Sequence, residues 1–478
     1  MTAESLARPR RRPVLLLAGM AAWAVAFCLC YPRTFAIVDE DAYLTQAYLF
    51  RQGRLTYEQS SIPAPHMTVE TGGRLASKYP PGTSLLLLPF TFAGWRATFA
   101  AGLLLALAGT WLFALVLRRL APGTDPAWAL LWLCYPAVTL YSRTLMSDLP
   151  AAVLTLAAFL ALVRERRFAA GLALGAAVLV RYSNGLLGVA FALVLLATGP
   201  RRLRGVLGLG LGMLPGVLLA LGYNWWCYGG PFSFPMYLTG VFSPVFFPRN
   251  AVYYGRSLLL VYPLMLLAPL LVGRRWRLAV SVPAYAVLAL YCFFSYVHDV
   301  PGVIEQATVG LRYLLPGLGF FVLALALVLA RLESGLRGFG VVKYLLLGLA
   351  LVAAVAVHWR HDRHLAEQDR YRRLVYATVP EGALVAANAR VTELFSHAWG
   401  DRRYLRFAEF NVRVPVDAAL AAADDPWALL MQPAGRRNYI ELALFFSLLA
   451  RFPERELVLE EEAPRRLEAW RLRPGRGN

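Results

Sequence analysis

The chain has 478 residues, of which 58% are hydrophobic and only 16% charged, a balance that excludes an ordinary water-facing globular surface. Its net charge of +19 does not mark a nucleic-acid binder, because the basic residues fall in short clusters between apolar runs rather than on one amphipathic face. Lipid is the implied solvent for most of the chain.

Arg8, Arg10, Arg11 and Arg12 precede the first apolar segment, residues 14–31. No small-residue cleavage site follows it, so it reads as a retained anchor, and the positive-inside rule puts the N-terminus in the cytoplasm. A polar, proline-containing first loop, about residues 32–95, is then outside, with an apolar stretch at 85–89 too short to span. Further spans are predicted at 98–117, 127–140, 149–163, 168–180, 185–198, 205–226, 257–272, 278–296, 314–330 and 340–357, about eleven crossings in all. Alternating sides places the basic clusters at 118–119, 164–167, 201–204, 274–277 and 331–343 inside, as the rule requires. Several spans fall short of the roughly 20 residues needed to cross a hydrocarbon core of about 30 Å. Residues 168–198 also admit one kinked crossing plus a surface helix, at the cost of putting Arg274, Arg275 and Arg277 outside.

Beyond the last span, strand-like runs at 383–387 and 427–431 alternate with helix-like runs at 391–399 and 439–450, which predicts a small α/β domain outside the membrane. The expected organisation is a transmembrane module over 1–358 and an extracytoplasmic domain over 359–478. The five cysteines all lie in or beside apolar segments, so neither a disulfide framework nor a zinc site is implied.

Asp39, Glu40 and Asp41 follow the first span, and three adjacent carboxylates repel unless exposed or given a cationic partner. A solvated loop capping a helix is one reading; the other is a catalytic cluster, held at the membrane face by the helical continuation through Tyr43, Leu44, Ala47 and Tyr48. Lys78, one of only two lysines, sits before the turn Tyr79-Pro80-Pro81-Gly82. Its flexible ammonium suits a phosphate at headgroup level, and equally a snorkelling interfacial lysine. Asp148 lies between the third and fourth spans, where an ionisable group is costly and marks either function or an N-cap ahead of Pro150. Arg181 and Arg312 recur on the same outer face as phosphate partners or flank anchors. All six histidines are expected outside; His358, His361 and His364 share a helical side, a weak metal signal without a carboxylate or cysteine companion. Asp39 and Asp41 offer a divalent cation two side chains, well short of a full shell.

Four motifs together, Asp39-Glu40, Lys78-Tyr79-Pro80-Pro81-Gly82, Ser147-Asp148-Leu149-Pro150 and Gly310-Leu311-Arg312-Tyr313-Leu314-Leu315-Pro316, resemble the GT-C superfamily of polyprenyl-phosphate-sugar-dependent glycosyltransferases, in the branch of protein O-mannosyltransferases and lipid A aminoarabinose transferases. The likeness covers about residues 14–330. It implies an α-helical polytopic fold, for which the arginine clusters give an N-in, C-out orientation; the alanine- and arginine-rich composition points to a bacterial source, hence a cytoplasmic membrane with the site facing outward. The likeness further implies a polyprenyl-phosphate sugar donor and a lipid, glycan or protein acceptor. In those terms Asp39 is the main catalytic carboxylate, Glu40 its neighbour and Asp148 a supporting acid. Lys78 and Arg312 are the donor-phosphate residues, and Arg181, from its place on the same outer face, is added to them as a candidate. Ala42 stands where the aminoarabinose type has an arginine, and Tyr79 intrudes before the proline pair, so the aminoarabinose donor does not follow. No P-loop glycine pattern is present. The rival readings are a lipid-linked-sugar flippase, which predicts inverted repeats and broken helices in matching halves, a non-catalytic envelope-assembly partner, and a lipid-linked polymer ligase.

Overall fold

The computed structural model describes residues 13–57, 67–71, 73–198, 202–233, 241–297, 300, 302–396, 403–406, 416–433, 439–462 and 465–473. The N-terminal arginines and His66, His298 and His397 lie outside the described residues. The chain forms two compact units, Met1–Pro32 with Lys78–Asp362, and Arg33–Ser77 with Arg363–Asn478.

The first unit is helical. Four of the described helices are long and apolar enough to cross a membrane, at Trp95–Leu120, Arg202–Tyr228, Val303–Gly335 and Phe339–Thr378; the last of these continues into the second unit. Shorter apolar helices include Val14–Leu29, Asp148–Val163, Arg167–Val180 and Tyr182–Thr198. On the Arg202–Tyr228 helix, Leu203, Leu207, Leu211, Leu214 and Leu218 are exposed, at the spacing of one helical face. The opposite face carries Gly212 and Gly216, which approach Gly171 and Gly175 of the Arg167–Val180 helix so closely that an added methyl on Gly216 would sit 2.3 Å from the Gly175 backbone. Leucine outward and glycine inward is the packing expected where lipid is the solvent and helices gain by close contact. Phe159, Phe191 and Phe320, with ring centroids 5.1–5.9 Å apart, join three further helices at the unit's core.

Two predicted spans are not single helices. Residues 127–140 fold as a 3-10 turn at Pro126–Ala129 and two short helices, Leu130–Leu133 and Pro136–Tyr141, because Pro126 and Pro136 each lack the N–H that would continue a helix and so start new ones. Residues 257–272 end one helix at Val261 and begin another at Ala268, with Pro263 and Pro269 at the break. Residues 168–198 form two helices, parted at Arg181 by an extended residue and a 3-10 turn at Tyr182–Asn184.

Lys343, within the predicted basic cluster at 331–343, is held by two carboxylates. Its Nζ lies 2.8 Å from Asp125 Oδ2 and 2.8 Å from Glu333 Oε1, and the Trp128 indole donates to the other Glu333 oxygen at 2.9 Å. Lys343→Met leaves two largely buried carboxylates without their shared cation, and removal of one partner from such a group costs about 3–5 kcal/mol. A lowered midpoint of thermal unfolding in detergent checks this.

The second unit holds a five-stranded sheet. Strands β1 (Thr68–Thr71) and β2 (Arg74–Ser77) form an antiparallel hairpin, and the sheet follows with β3 (Leu384–Ala387), β4 (Arg403–Arg406), β5 (Pro426–Pro433), β6 (Glu454–Glu461) and β7 (Arg465–Arg473) in the order β4-β3-β5-β7-β6. The first three are parallel, and β7 and β6 extend them antiparallel. Period-2 alternation sends Val385, Ala387, Leu429 and Met431 to one face, against Tyr371 and Val375 of the long helix and Val379 just past its end. It sends Leu384, Ala386, Ala428 and Leu430 to the other, against Phe445 and Leu448 of the Tyr439–Ala450 helix. Burial on both faces explains the unbroken apolar runs of these strands. The helix expected at 391–399 is only Ala389–Thr392 within the described residues. Residues 33–77, expected as a loop of the membrane module, group with the C-terminal residues.

Candidate active site

Asp148 is fully buried as the first residue of the Asp148–Val163 helix. It does not cap that helix; its carboxylate accepts from Arg181 Nη1 at 2.7 Å and from Arg312 Nε at 3.4 Å. Both guanidinium groups lie against the Tyr313 ring, 5.3 and 5.5 Å from its centroid, where the quadrupole of an aromatic face favours cations. Tyr313 in turn stacks on Tyr291 at 5.2 Å, and the Tyr291 hydroxyl is 3.0 Å from Ser183 Oγ. Three residues far apart in sequence thus form one centre, and two guanidinium groups against one carboxylate leave it net cationic.

The Lys78 turn is fixed to the same neighbourhood. Gly82 opens the Gly82–Thr91 helix, and a Cβ there would sit 2.5 Å from the backbone of Leu179 and Val180, the residues directly before Arg181. Pro80 and Pro81 stiffen the approach, while the Lys78 ammonium lies 5.4 Å from the Tyr79 ring centroid. Gly82→Ala forces this docking apart, since neither backbone can yield as a flexible side chain would. The expected result is a rise of about tenfold or more in the donor concentration needed for half-maximal rate, read from initial rates against donor titration.

The acidic triplet belongs to the second unit. It occupies the first turn of the Val38–Arg51 helix, where the helix dipole offsets the mutual repulsion of carboxylates. The structure separates the three. Glu40 is buried and accepts the Ala36 N–H at 2.9 Å. Asp41 is fully buried, with Thr45 donating at 3.2 Å and Ser396 donating to the same oxygen. Asp39 is only partly buried. Partial burial of Tyr57, with the Asp41 carboxylate as the second cause, pushes its phenol pKa up, so that hydroxyl stays protonated.

Two of the three helical histidines meet a cation. Arg143 Nε donates to His361 Nδ1 at 3.0 Å, and its Nη1 is 3.4 Å from His358 Nδ1, all three side chains being buried. An imidazole nitrogen that accepts from arginine is turned away from a metal, and the neighbouring charge would repel one. No group of three or more histidine, cysteine, aspartate or glutamate side chains suited to a metal occurs among the described residues. All five cysteines are free.

Residues 78–250 match the family model of glycosyltransferase family 87, a stretch that opens on Lys78 and contains Asp148 and Arg181. No curated protein matches the chain. Among solved structures the fold is similar to ArnT from Cupriavidus metallidurans, crystallised with undecaprenyl phosphate, at 15% identity over 95% of this chain and 97% of that one, TM-score 0.62. It is similar also to the Archaeoglobus fulgidus oligosaccharyltransferase in its apo form, at 10% identity over 89% and 70%, TM-score 0.52. The mycobacterial arabinofuranosyltransferase AftD follows at 16% identity, 98% of this chain but 40% of that one, TM-score 0.51. At such identities the likeness is one of fold. The chain is a multi-pass membrane protein, and its resemblance to the GT-C superfamily of glycosyltransferases, first carried by four short motifs, holds in family model and in fold alike.

Proposed function

We propose that the protein transfers a sugar from a polyprenyl-phosphate donor to an acceptor hydroxyl on the extracytoplasmic face of the membrane, with inversion at the anomeric carbon. The observation that carries this reading is the Arg181–Asp148–Arg312 centre beside the Lys78–Gly82 turn. It is a cationic site with a buried counter-ion, suited to a phosphate that gains charge as it leaves. ArnT, of like fold, was crystallised with undecaprenyl phosphate, which supports the lipid half of the donor.

In the proposed step the acceptor hydroxyl gives its proton to Asp39 as its oxygen attacks the anomeric carbon in line. The bond from that carbon to the phosphate oxygen breaks, and polyprenyl phosphate departs with the electron pair, its charge met by Lys78, Arg181 and Arg312. One displacement gives inversion. Among the three acidic neighbours Asp39 suits the base role best, because it is partly exposed, whereas Glu40 and Asp41 are buried, holding the Ala36 N–H and the Thr45 and Ser396 hydroxyls. Asp148, with an arginine on each oxygen, acts by holding the arginines and not by taking a proton.

Native mass spectrometry of the purified protein with undecaprenyl phosphate tests the cationic centre. Wild type is expected to retain the lipid, and Arg181→Met and Arg312→Met to bind it at least tenfold more weakly, the loss of one charge-assisted hydrogen bond of about 1.5–3 kcal/mol. Equal retention by all three would remove the phosphate role.

A further inference from the structure

The contact between Ser396 and Asp41 joins two parts of the second unit that lie 355 residues apart in sequence. Ser396 follows β3 through the short Ala389–Thr392 helix, on the segment that leaves the carboxyl end of that strand. Strand β3 lies between its parallel neighbours β4 and β5, and the chain passes from β3 first to β4 on one side and then to β5 on the other. In open α/β sheets the carboxyl ends of strands at such a reversal are where functional contacts are made. Here the contact runs to the acidic helix. Ser396 is 2% exposed and Asp41 0% exposed, and Thr45 donates to the oxygen that Ser396 also reaches. A buried carboxylate held by two hydroxyl donors from different segments is fixed in place, because each donor restricts a different direction of movement. Asp41 is two residues beyond Asp39 in the same helical turn, so whatever fixes Asp41 sets the position of Asp39.

We infer that Ser396 is a positioning residue: by gripping Asp41 it sets the first turn of the Val38–Arg51 helix and so aims the Asp39 carboxylate at the acceptor hydroxyl. This makes the C-terminal α/β segment part of the catalytic apparatus through a single hydroxyl. The inference rests on the reading of Asp39 as the base. Misplacing a reacting group by about 1 Å costs up to 10²-fold in rate, which sets the size of effect to look for.

The test uses the full-length protein in detergent, with membrane lipid extract from cells lacking the gene as the source of donor and acceptor. Ser396→Ala is expected to lower the maximal rate about 10- to 100-fold while leaving the half-saturating amount of extract unchanged. Ser396→Thr, which restores the hydroxyl, is expected to recover most of that rate. Ser396→Ala added to Asp39→Asn is expected to cost nothing further, since a residue that acts only through Asp39 has nothing left to aim. An unchanged maximal rate in Ser396→Ala overturns the inference while leaving Asp39 as the base, and so does a full additional loss in the double variant. Full activity in Asp39→Asn alone instead overturns the reading of Asp39. Should Ser396→Ala fail to fold, Ser396→Cys keeps the size of the side chain with a weaker donor; an intermediate rate supports the inference and a wild-type rate overturns it.

Discussion

Asp39→Asn is expected to lower the rate of sugar transfer by roughly 10²–10⁴-fold, the usual contribution of a positioned general base, with little change in stability. The substitution keeps the size and shape of the side chain and removes only its capacity to take a proton. Asp39 is partly exposed, and the amide that replaces it can still accept a hydrogen bond. The neighbours provide the contrast. Glu40→Gln retains an oxygen to accept the Ala36 N–H and should keep most of the activity. Asp41→Asn weakens the acceptor of two buried hydroxyls and should lower both rate and stability. A triplet acting merely as a diffuse negative patch would instead respond about equally to all three. Rates and melting midpoints measured together on the three variants separate these outcomes.

The second large effect falls on Asp148. Asp148→Asn leaves Arg181 and Arg312 against each other without a carboxylate between them. Stranding buried charge in this way costs about 3–5 kcal/mol, so the expected result is a protein that is poorly accumulated in the membrane as well as inactive. The triple change Asp148→Leu with Arg181→Met and Arg312→Met removes the whole charged group and replaces it with apolar volume, which is often neutral or stabilising. That variant is expected to accumulate normally and yet to fail in binding undecaprenyl phosphate. Recovery of the fold without recovery of lipid binding separates the structural debt of the carboxylate from the phosphate role of the arginines. Immunoblots of membrane fractions and native mass spectrometry supply the two readings.

Much of this centre was legible in the sequence, because its residues stand in short motifs beside apolar segments. Lys78 before a Pro-Pro-Gly turn, Asp148 ahead of Pro150, and Arg312 before Tyr313 are each local patterns. What local pattern withholds is partnership: nothing in the chain announces that Arg181 and Arg312, 131 positions apart, share the carboxylate of Asp148, or that Gly82 is a glycine for lack of space against Leu179 and Val180. The same holds for Arg143, whose partners His358 and His361 lie more than 200 residues away. The spacing of the histidines suggested a metal, while the contact that binds two of them is with a cation.

Elsewhere the signal was present and outweighed. Gly171 and Gly175, and Gly212 and Gly216, each follow the small-residue spacing of tightly packed membrane helices. Strand β6 was missed because edge strands carry charge to discourage further pairing; Glu454–Glu461 is mostly exposed and five of its eight residues are acidic or basic. The broken segment at 127–140 was read as one span because hydropathy sums over proline, whereas the backbone cannot ignore it.

The measurement that bears most directly on the proposed reaction is mass spectrometry of membrane lipids from cells lacking the gene, complemented with the wild-type chain or with Asp39→Asn. A polyprenyl-phosphate sugar is expected to accumulate without the gene and with Asp39→Asn, and to fall to the ordinary level with wild type; its mass would also identify the sugar. Unchanged lipids in all three strains, or full complementation by Asp39→Asn, would contradict the assignment of a lipid-linked transfer to this site.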